Sequence, residues 1–445
     1  MKIIARITLL IIGVLLLAYY LPKYYWMLTD KKRHAPITFY SCVRKDFLFY
    51  RYSDDTLQMV DQAGENYSRS AFEELLPLNN YLQLYKDGRL PESIDGVKLA
   101  PRDIDRARLN FRIKPVMLDN PVVRLNPLLE AESGRVKLEM PNDFMRLGQT
   151  VEFIDSKTNA INREKSEKFA RALSAAGFVF PPKTVGGNPT TLKPYDDGYF
   201  IADATGATFH LRQVRGEPEI HRLAEVSPDK ALWQALKPVY LHVQEQDAAE
   251  IRAIAIGQDG QAWLVVGKEY RLVPVPFQRY DPHSMSLTVR GDLLNRLITV
   301  TGEDYTESVV LNRKYEFVAR YTEPLPTRAG SKAGQIAKVI FPVTLYFDDD
   351  TSGYLGVFAV WGSRLALVLN AVLALVWATW IFARKQFRPF HAFEIGLVLF
   401  AGIYGLIAVL AAPKWEDEQS RKAAASRAEI STPDQLASSL ATGRG

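Results

Sequence analysis

The sequence predicts a mostly β protein with helical insertions, a propeller-like or sandwich-type extracytoplasmic domain combined with three transmembrane α-helices. Three observations predict it. Charge-poor apolar runs stand at both ends of the chain, one at the start and two near the end. The residues between them read as short alternating strands separated by Gly/Asp turns. That pattern returns at intervals of roughly 40 residues, the spacing of propeller blades, although sandwiches of short strands have a similar texture.

The elements divide as 1–30, an N-terminal signal anchor; 31–354, the β-rich domain; 355–412, a helical hairpin; and 413–445, a polar tail. In the first, Lys2 and Arg6 precede an uncharged run over 7–22. Tyr24, Tyr25 and Trp26 follow it as an interfacial aromatic belt, with no small-x-small cleavage site, so an uncleaved spanning helix is expected.

In the domain, two helices interrupt the strands. "SRSAFEELLPLNNYLQLYKDGRLP" begins at Ser68 or Ser70 as N-cap, with Glu73 or Glu74 as its capping-box partner and Phe72, Leu75 and Leu76 on one face. "NREKSEKFARALSAAGFVFPP" places Phe169, Leu173 and Ala176 together, and Gly177 ends it. The apolar runs around Gly257 and Gly260 form a hairpin. "DKALWQALKPVYLHV" starts as a helix and ends as a strand. Strand alternation also marks "GDLLNRLITVTGEDYTESVVL" and "YEFVARYTEPLP". The stretch "DGYFIADATGATFHL" parses as strand, turn, strand. Gly206 supplies the positive φ and Asp203 caps the turn. Phe200 and Phe209 anchor the strands, and His210, one residue on, points to the opposite face, outward from the hairpin.

Near the C-terminus, residues 365–382 and 395–412 make the second and third apolar segments. Arg384, Lys385 and Arg388 between them place the link on the cytoplasmic side. Lys2 and Arg6 place the N-terminus there too, so the β-rich domain is expected outside. The basic run at 31–34 is a counter-signal that a long translocated domain tolerates. Arg364, at the outer end of the second segment, either snorkels to headgroups or contacts a partner membrane subunit. The tail, rich in Ala, Ser and charges, has no sustained apolar face.

Composition narrows the chemistry. A chain of 445 residues with 47% hydrophobic and 24% charged residues is ordinary for a folded protein. Its net charge of +5 is too small to suggest a nucleic-acid partner. Cys42 is the single cysteine, which excludes intrachain disulfides and cysteine-based zinc sites, and is expected to be a buried thiol. "TVGGNPTTLKP" has adjacent glycines but no Gly-Lys-Ser/Thr, and reads as a turn rather than a phosphate cradle. The histidines lack metal-ligand spacing. The acids at 348–350 lack the EF-hand pattern and read as a solvated turn. No cofactor, metal ligand or catalytic residue is therefore assigned.

Three stretches together resemble one bacterial family, the domain of unknown function 4857 proteins. They begin "SCVRKDFLFYRYSDDTLQMVDQ" at Ser41, "EFIDSKTNAINREKSEKFARAL" at Glu152 and "FPVTLYFDDDTSGYLGVF" at Phe341. The resemblance implies a bacterial membrane protein, typically encoded beside ABC-transporter genes, and carries no catalytic residues with it. The leading expectation is an accessory subunit that partners the lipid bilayer and an ABC-transporter permease or ATPase complex. The alternative is an envelope lyase or hydrolase with His210, Asp203 and nearby arginines as acid–base groups. Arg364, His210 and Asp203 are the candidate contact residues.

Overall fold

The computed structural model describes residues 2–29, 35–53, 56–118, 125–248, 250–327, 330–348, 356–384 and 389–412. The basic run 31–34, residues 349–350 of the acidic cluster, residues 385–388 of the basic link and the tail 413–445 lie outside the described residues. The chain forms two compact units. A helical unit takes 1–30, 328–347 and 357–445, and a β-rich unit takes 31–327 and 348–356. The chain enters through α1 (Lys2–Thr29) of the helical unit.

The β-rich unit is a row of antiparallel sheets. The first contains β1 (Ile37–Ser41), β2 (Asp46–Ser53) and β3 (Thr56–Asp61). After it come α2 (Arg69–Leu75), α3 (Tyr81–Lys86), the small hairpin of β4 (Ser93–Ile94) and β5 (Val97–Lys98), α4 (Pro101–Arg106) and β6 (Leu109–Ile113). A three-stranded sheet of β7 (Leu125–Asn126), β8 (Asp143–Leu147) and β9 (Val151–Asp155) precedes α5 (Arg163–Ala175). Two four-stranded meanders follow. The first is β10 (Thr184–Gly187), β11 (Tyr199–Ala202), β12 (Thr208–Val214) and β13 (Glu217–Arg222). Then α6 (Leu223–Val226) and α7 (Lys230–Leu236) lead to β14 (Tyr240–His242), β15 (Ile251–Ile256), β16 (Ala262–Val266) and β17 (Arg271–Pro274). Last come β18 (Ser286–Gly291), β19 (Asn295–Thr301), β20 (Tyr305–Asn312) and β21 (Phe317–Pro324), a sheet completed by β6 against β18.

Side-chain alternation stacks these sheets face to face. On the β14–β17 sheet, Ile254, Ile256, Leu264 and Val266 pack against Phe111, Leu287, Val289, Ile298 and Val309 of the sheet containing β6. Its other face, with Ala253, Ala255 and Val265, packs against Phe200 and Ala202 of β11 and Trp233 of α7. The far face of the β10–β13 sheet buries Ile201, Phe209 and Leu211 against Met145, Phe153 and Phe169. At the other end, Leu297 and Val310 meet Phe47 and Phe49 of the first sheet. Leu48 on that sheet's outer face meets Phe72 and Leu76. Inner strands are therefore apolar on both faces, which requires near-continuous hydrophobic runs rather than alternation. Of the two expected architectures the propeller is not formed: among the described residues the sheets make no closed propeller or barrel and stack face to face.

Local chemistry sets the helix ends. Ser68 is the N-cap of α2 and accepts from the Ala71 N–H, while Glu73 pairs with Arg69. Asn162 caps α5 in the same way, and Gly177 follows its end at φ +79°. "TVGG", expected as a turn, is strand β10. Cys42 is buried, and burial pushes its thiol up to about 12.

The helical unit contains α1, then α8 (Lys332–Ile340), most of a two-stranded sheet of β22 (Val343–Asp348) and β23 (Gly356–Trp361), α9 (Arg364–Ala383), α10 (Pro389–Ala401) and α11 (Ile403–Ala411). Two helices, over Ile4–Thr29 and Arg364–Ala383, are long and apolar enough to cross a membrane. The third expected span is broken. Gly402 adopts φ +57° between α10 and α11, and a Cβ there would lie 2.0 Å from Asn370 Oδ1. The two pieces have 13 and 9 residues, each too short for a hydrocarbon core of about 30 Å. Glu394 of α10 is buried and pairs with Arg6 of α1 at 2.8 Å.

Candidate functional site

The loop entering β11, "LKPYDDG", turns its charged groups into the β-rich unit. Gly198 makes this possible. It sits at φ +65°, and a Cβ there would lie 2.1 Å from the Leu211 carbonyl oxygen. Lys193, Asp196 and Glu245 side chains are 2%, 3% and 1% exposed. Lys193 Nζ donates to Glu245 Oε1 at 2.6 Å and to the Asn188 carbonyl at 2.7 Å, and lies 2.6 Å from Asp196 Oδ1. Glu245 also accepts from Asn188 Nδ2 and from the Asp197 N–H. Burial raises the Asp196 carboxyl above its ordinary range, against the pull of Lys193.

Asp197 forms a two-pronged ion pair with Arg252 of β15, whose guanidinium lies 4.5 Å from the Tyr270 ring centroid. Tyr270 is held by Ser227 Oγ and Trp233 Nε1, which both donate to its carbonyl at 2.9 Å. Its hydroxyl reaches His210 Nδ1 at 2.9 Å, and His210 Nε2 faces the Asp197 carbonyl. A carbonyl only accepts, so Nε2 carries the proton and Nδ1 accepts from Tyr270. Burial, the largest influence, lowers His210 to about 4. His210 is therefore neutral at pH 7, with both ring nitrogens occupied.

Clefts open beside this closed centre, where β10 and β14, and β1 and β6, stand at the edges of their sheets. One, of about 430 Å³, is lined by Val185–Gly187 of β10, Tyr240–His242 of β14, and Lys193 and Glu245. A larger one, of about 720 Å³, is lined by Ile37 and Phe39 of β1, Leu109 and Asn110 of β6, Arg290 and Gly291 of β18, and Tyr50, Asn79, Asp105, Arg108, Pro194 and 245–247. Glu245 lines both. The Gln246 amide closes the free edge of β6, accepting from the Asn110 N–H and donating to its carbonyl, each at 2.8 Å.

A family model described as Domain of unknown function (DUF4857) matches residues 37–311. The chain belongs to this family. A search of curated proteins finds no match. The DUF4857 region runs from β1 through nearly all of β20, so it contains the charged centre and both clefts.

Within this region the predicted residues part company. Asp203 has the expected turn-capping role. Its Oδ1 accepts from the Thr205 and Ala207 N–H groups and the Thr205 hydroxyl, and its Oδ2 accepts from the Val179 N–H. The outward placement of His210 is corrected. It is 0% exposed because the β14–β17 sheet and Tyr270 cover the face it shares with Phe200. The acid beside His210 is Asp197, at 3.8 Å, and not Asp203. Arg364 belongs to the helical unit, where it opens α9 with its side chain exposed.

Sequence reading missed Lys193, Glu245, Arg252, Tyr270, Arg108 and Arg290. "YDDG" was the only local signal, since two adjacent acids before a strand need cations if they are buried. Among the described residues, no group of His, Cys, Asp and Glu is arranged to hold a metal ion.

Proposed function

We propose that this chain is an accessory subunit of an ABC-type transport or cell-envelope system. It is anchored in the bacterial cytoplasmic membrane, with its N-terminus inside and its β-rich unit outside. The surface of the long helices carries this reading. Their apolar windows are only 11% and 22% buried, and α9 turns Leu365, Leu367, Leu375 and Val376 outward. At about 25 cal/mol per Å² of apolar surface, such faces favour lipid or an apolar partner over water. Arg6 and Glu394 fit the same setting, because charges in an apolar helical unit are found paired.

The β-rich unit supports a binding role beside this anchor. Its clefts are ligand-sized and walled by rigid sheet edges. The alternative of a lyase or hydrolase using His210 and Asp203 gains no support from their surroundings, where Tyr270, Asp197 and the turn amides occupy their polar atoms.

Two experiments test the proposal. Reporter fusions after Arg388 are expected to behave as cytoplasmic and fusions near Lys237 as exported; an exported reporter at Arg388 contradicts the topology. Gentle extraction is expected to co-purify a permease or ATPase. A monodisperse chain without either contradicts the subunit assignment.

A further inference from the structure

The 720 Å³ cleft differs from the charged centre in one respect, the pairing of its cations. Arg290 stands on β18 opposite Asn110 of β6, with Arg112 and Thr288 the next pair along that face. Among the described residues no carboxylate pairs with Arg290, Arg108 or Arg112. The hydrogen bond found for Arg290 is a long one, 3.4 Å, to the Thr38 carbonyl. Arg108 has the Tyr81 hydroxyl beside it, a neutral partner. Of the acids in the lining, Glu245 is paired with Lys193, while Asp105 accepts from the neutral Tyr81 hydroxyl at 2.9 Å. Asp247 is the remaining acid, and it also lines the neighbouring 230 Å³ cleft.

The apolar side of the cleft is equally defined. Phe39 packs edge-on against Tyr50 at 4.9 Å, and Tyr50 stacks on Phe72 at 5.1 Å. The Arg290 guanidinium lies 5.9 Å from the Phe39 ring centroid. Rigid aromatic wall and cation thus stand side by side. Arg290 is solvent-exposed at the cleft, and its pKa is lowered by desolvation and by the neighbouring Arg112.

We propose that this cleft binds a small organic anion, a phosphate or carboxylate carried on an apolar ring or chain. Its charge sits on Arg290 and Arg108, and its apolar part lies against Phe39 and Tyr50. Guanidinium forks match phosphate and carboxylate oxygens, and the volume lies within the usual range for a small-molecule site, about 300–1,000 Å³. Loss of the transporter partnership would leave this assignment standing, because it rests on the cleft alone.

The test is calorimetric titration of the full-length protein in a nonionic detergent, with detergent alone as the blank. The probes are 1-naphthyl phosphate, inorganic phosphate and 1-naphthol. Saturable binding of 1-naphthyl phosphate is expected, with inorganic phosphate and 1-naphthol each at least about tenfold weaker. Arg290→Ala and Arg108→Ala are expected each to weaken 1-naphthyl phosphate by about tenfold or more, with the thermal midpoint unchanged. Arg290→Lys should restore part of the loss. Absent saturable binding, equal binding of 1-naphthol, or unchanged affinity in folded Arg290→Ala and Arg108→Ala each overturns the proposal.

Discussion

Two polar regions of the β-rich unit meet at Glu245, and they solve opposite problems. In the centre, Lys193, Asp196, Asp197, Glu245 and Arg252 are buried, and each cation faces a carboxylate. In the larger cleft, Arg290 and Arg108 are solvent-exposed and, among the described residues, make no ion pair with the carboxylates of Asp105, Glu245 and Asp247 that share the lining. Both regions are rich in charge, so charge alone does not mark a site. Saturation distinguishes them. A network in which each cation faces a carboxylate fixes the sheets to one another, whereas an unpaired cation beside an aromatic wall is arranged for something that comes from outside.

The largest expected effect breaks the centre. Lys193→Met leaves Glu245 and Asp196 buried without their cation, and should destabilise the β-rich unit by about 3–5 kcal/mol in chemical denaturation. A change below about 1 kcal/mol would mean the centre is wetter than its burial indicates.

Acid should open the same region. His210 is lowered to about 4 from an ordinary 6.5, so the unfolded chain binds the proton first. Its contribution is fully present above pH 6.5 and is lost progressively as pH falls toward 4, by roughly 3 kcal/mol in all. His242, also lowered by burial, adds to the slope. Denaturation midpoints of His210→Phe and the parent between pH 7 and 4 check this. The variant should lose much of the pH dependence, whatever its absolute stability. A parent stability that is flat over that range contradicts the buried neutral imidazole.

Smaller effects sharpen the contrast. Asp203→Ala removes the acceptor for three turn groups and the Val179 N–H, and should cost about 1–3 kcal/mol. Asp203→Asn, which keeps one acceptor oxygen, should cost less. Arg290→Ala should change thermal stability least, within about 0.5 kcal/mol, because it removes a repulsive cation and no ion pair. A large loss there would place Arg290 with the structural residues.

What was legible in the sequence is what is local. The Asp203–Gly206 turn, the hairpin around Gly260, the Asn162-to-Gly177 helix and the two long apolar helices each depend on residues within a few positions of one another. The apolar strand runs correctly announced sheets, but not how the sheets pack on each other. His210 alternates with Phe209 as the strand period requires, yet both faces of that sheet are covered, so alternation gave its direction and not its burial. Lys193 and Glu245 stand 52 residues apart and meet only after the β10–β13 and β14–β17 sheets stack. The larger cleft draws on residues from Ile37 to Gly291, and no window of sequence contains it. The break at Gly402 was hidden for a different reason. One glycine in a continuous apolar run leaves hydropathy unchanged, and the packing of Asn370 against it is a tertiary fact.

The most direct test of this division is to measure stability and anion affinity together on Arg290→Ala and Lys193→Met in the same detergent preparation. The account predicts that Arg290→Ala keeps the parent's thermal midpoint and loses 1-naphthyl phosphate binding. It predicts that Lys193→Met loses stability and, at temperatures where it remains folded, binds the probe like the parent. If Arg290→Ala is the variant that unfolds, or if Lys193→Met loses affinity while stability is unchanged, the closed centre and the open cleft have been assigned the wrong way round.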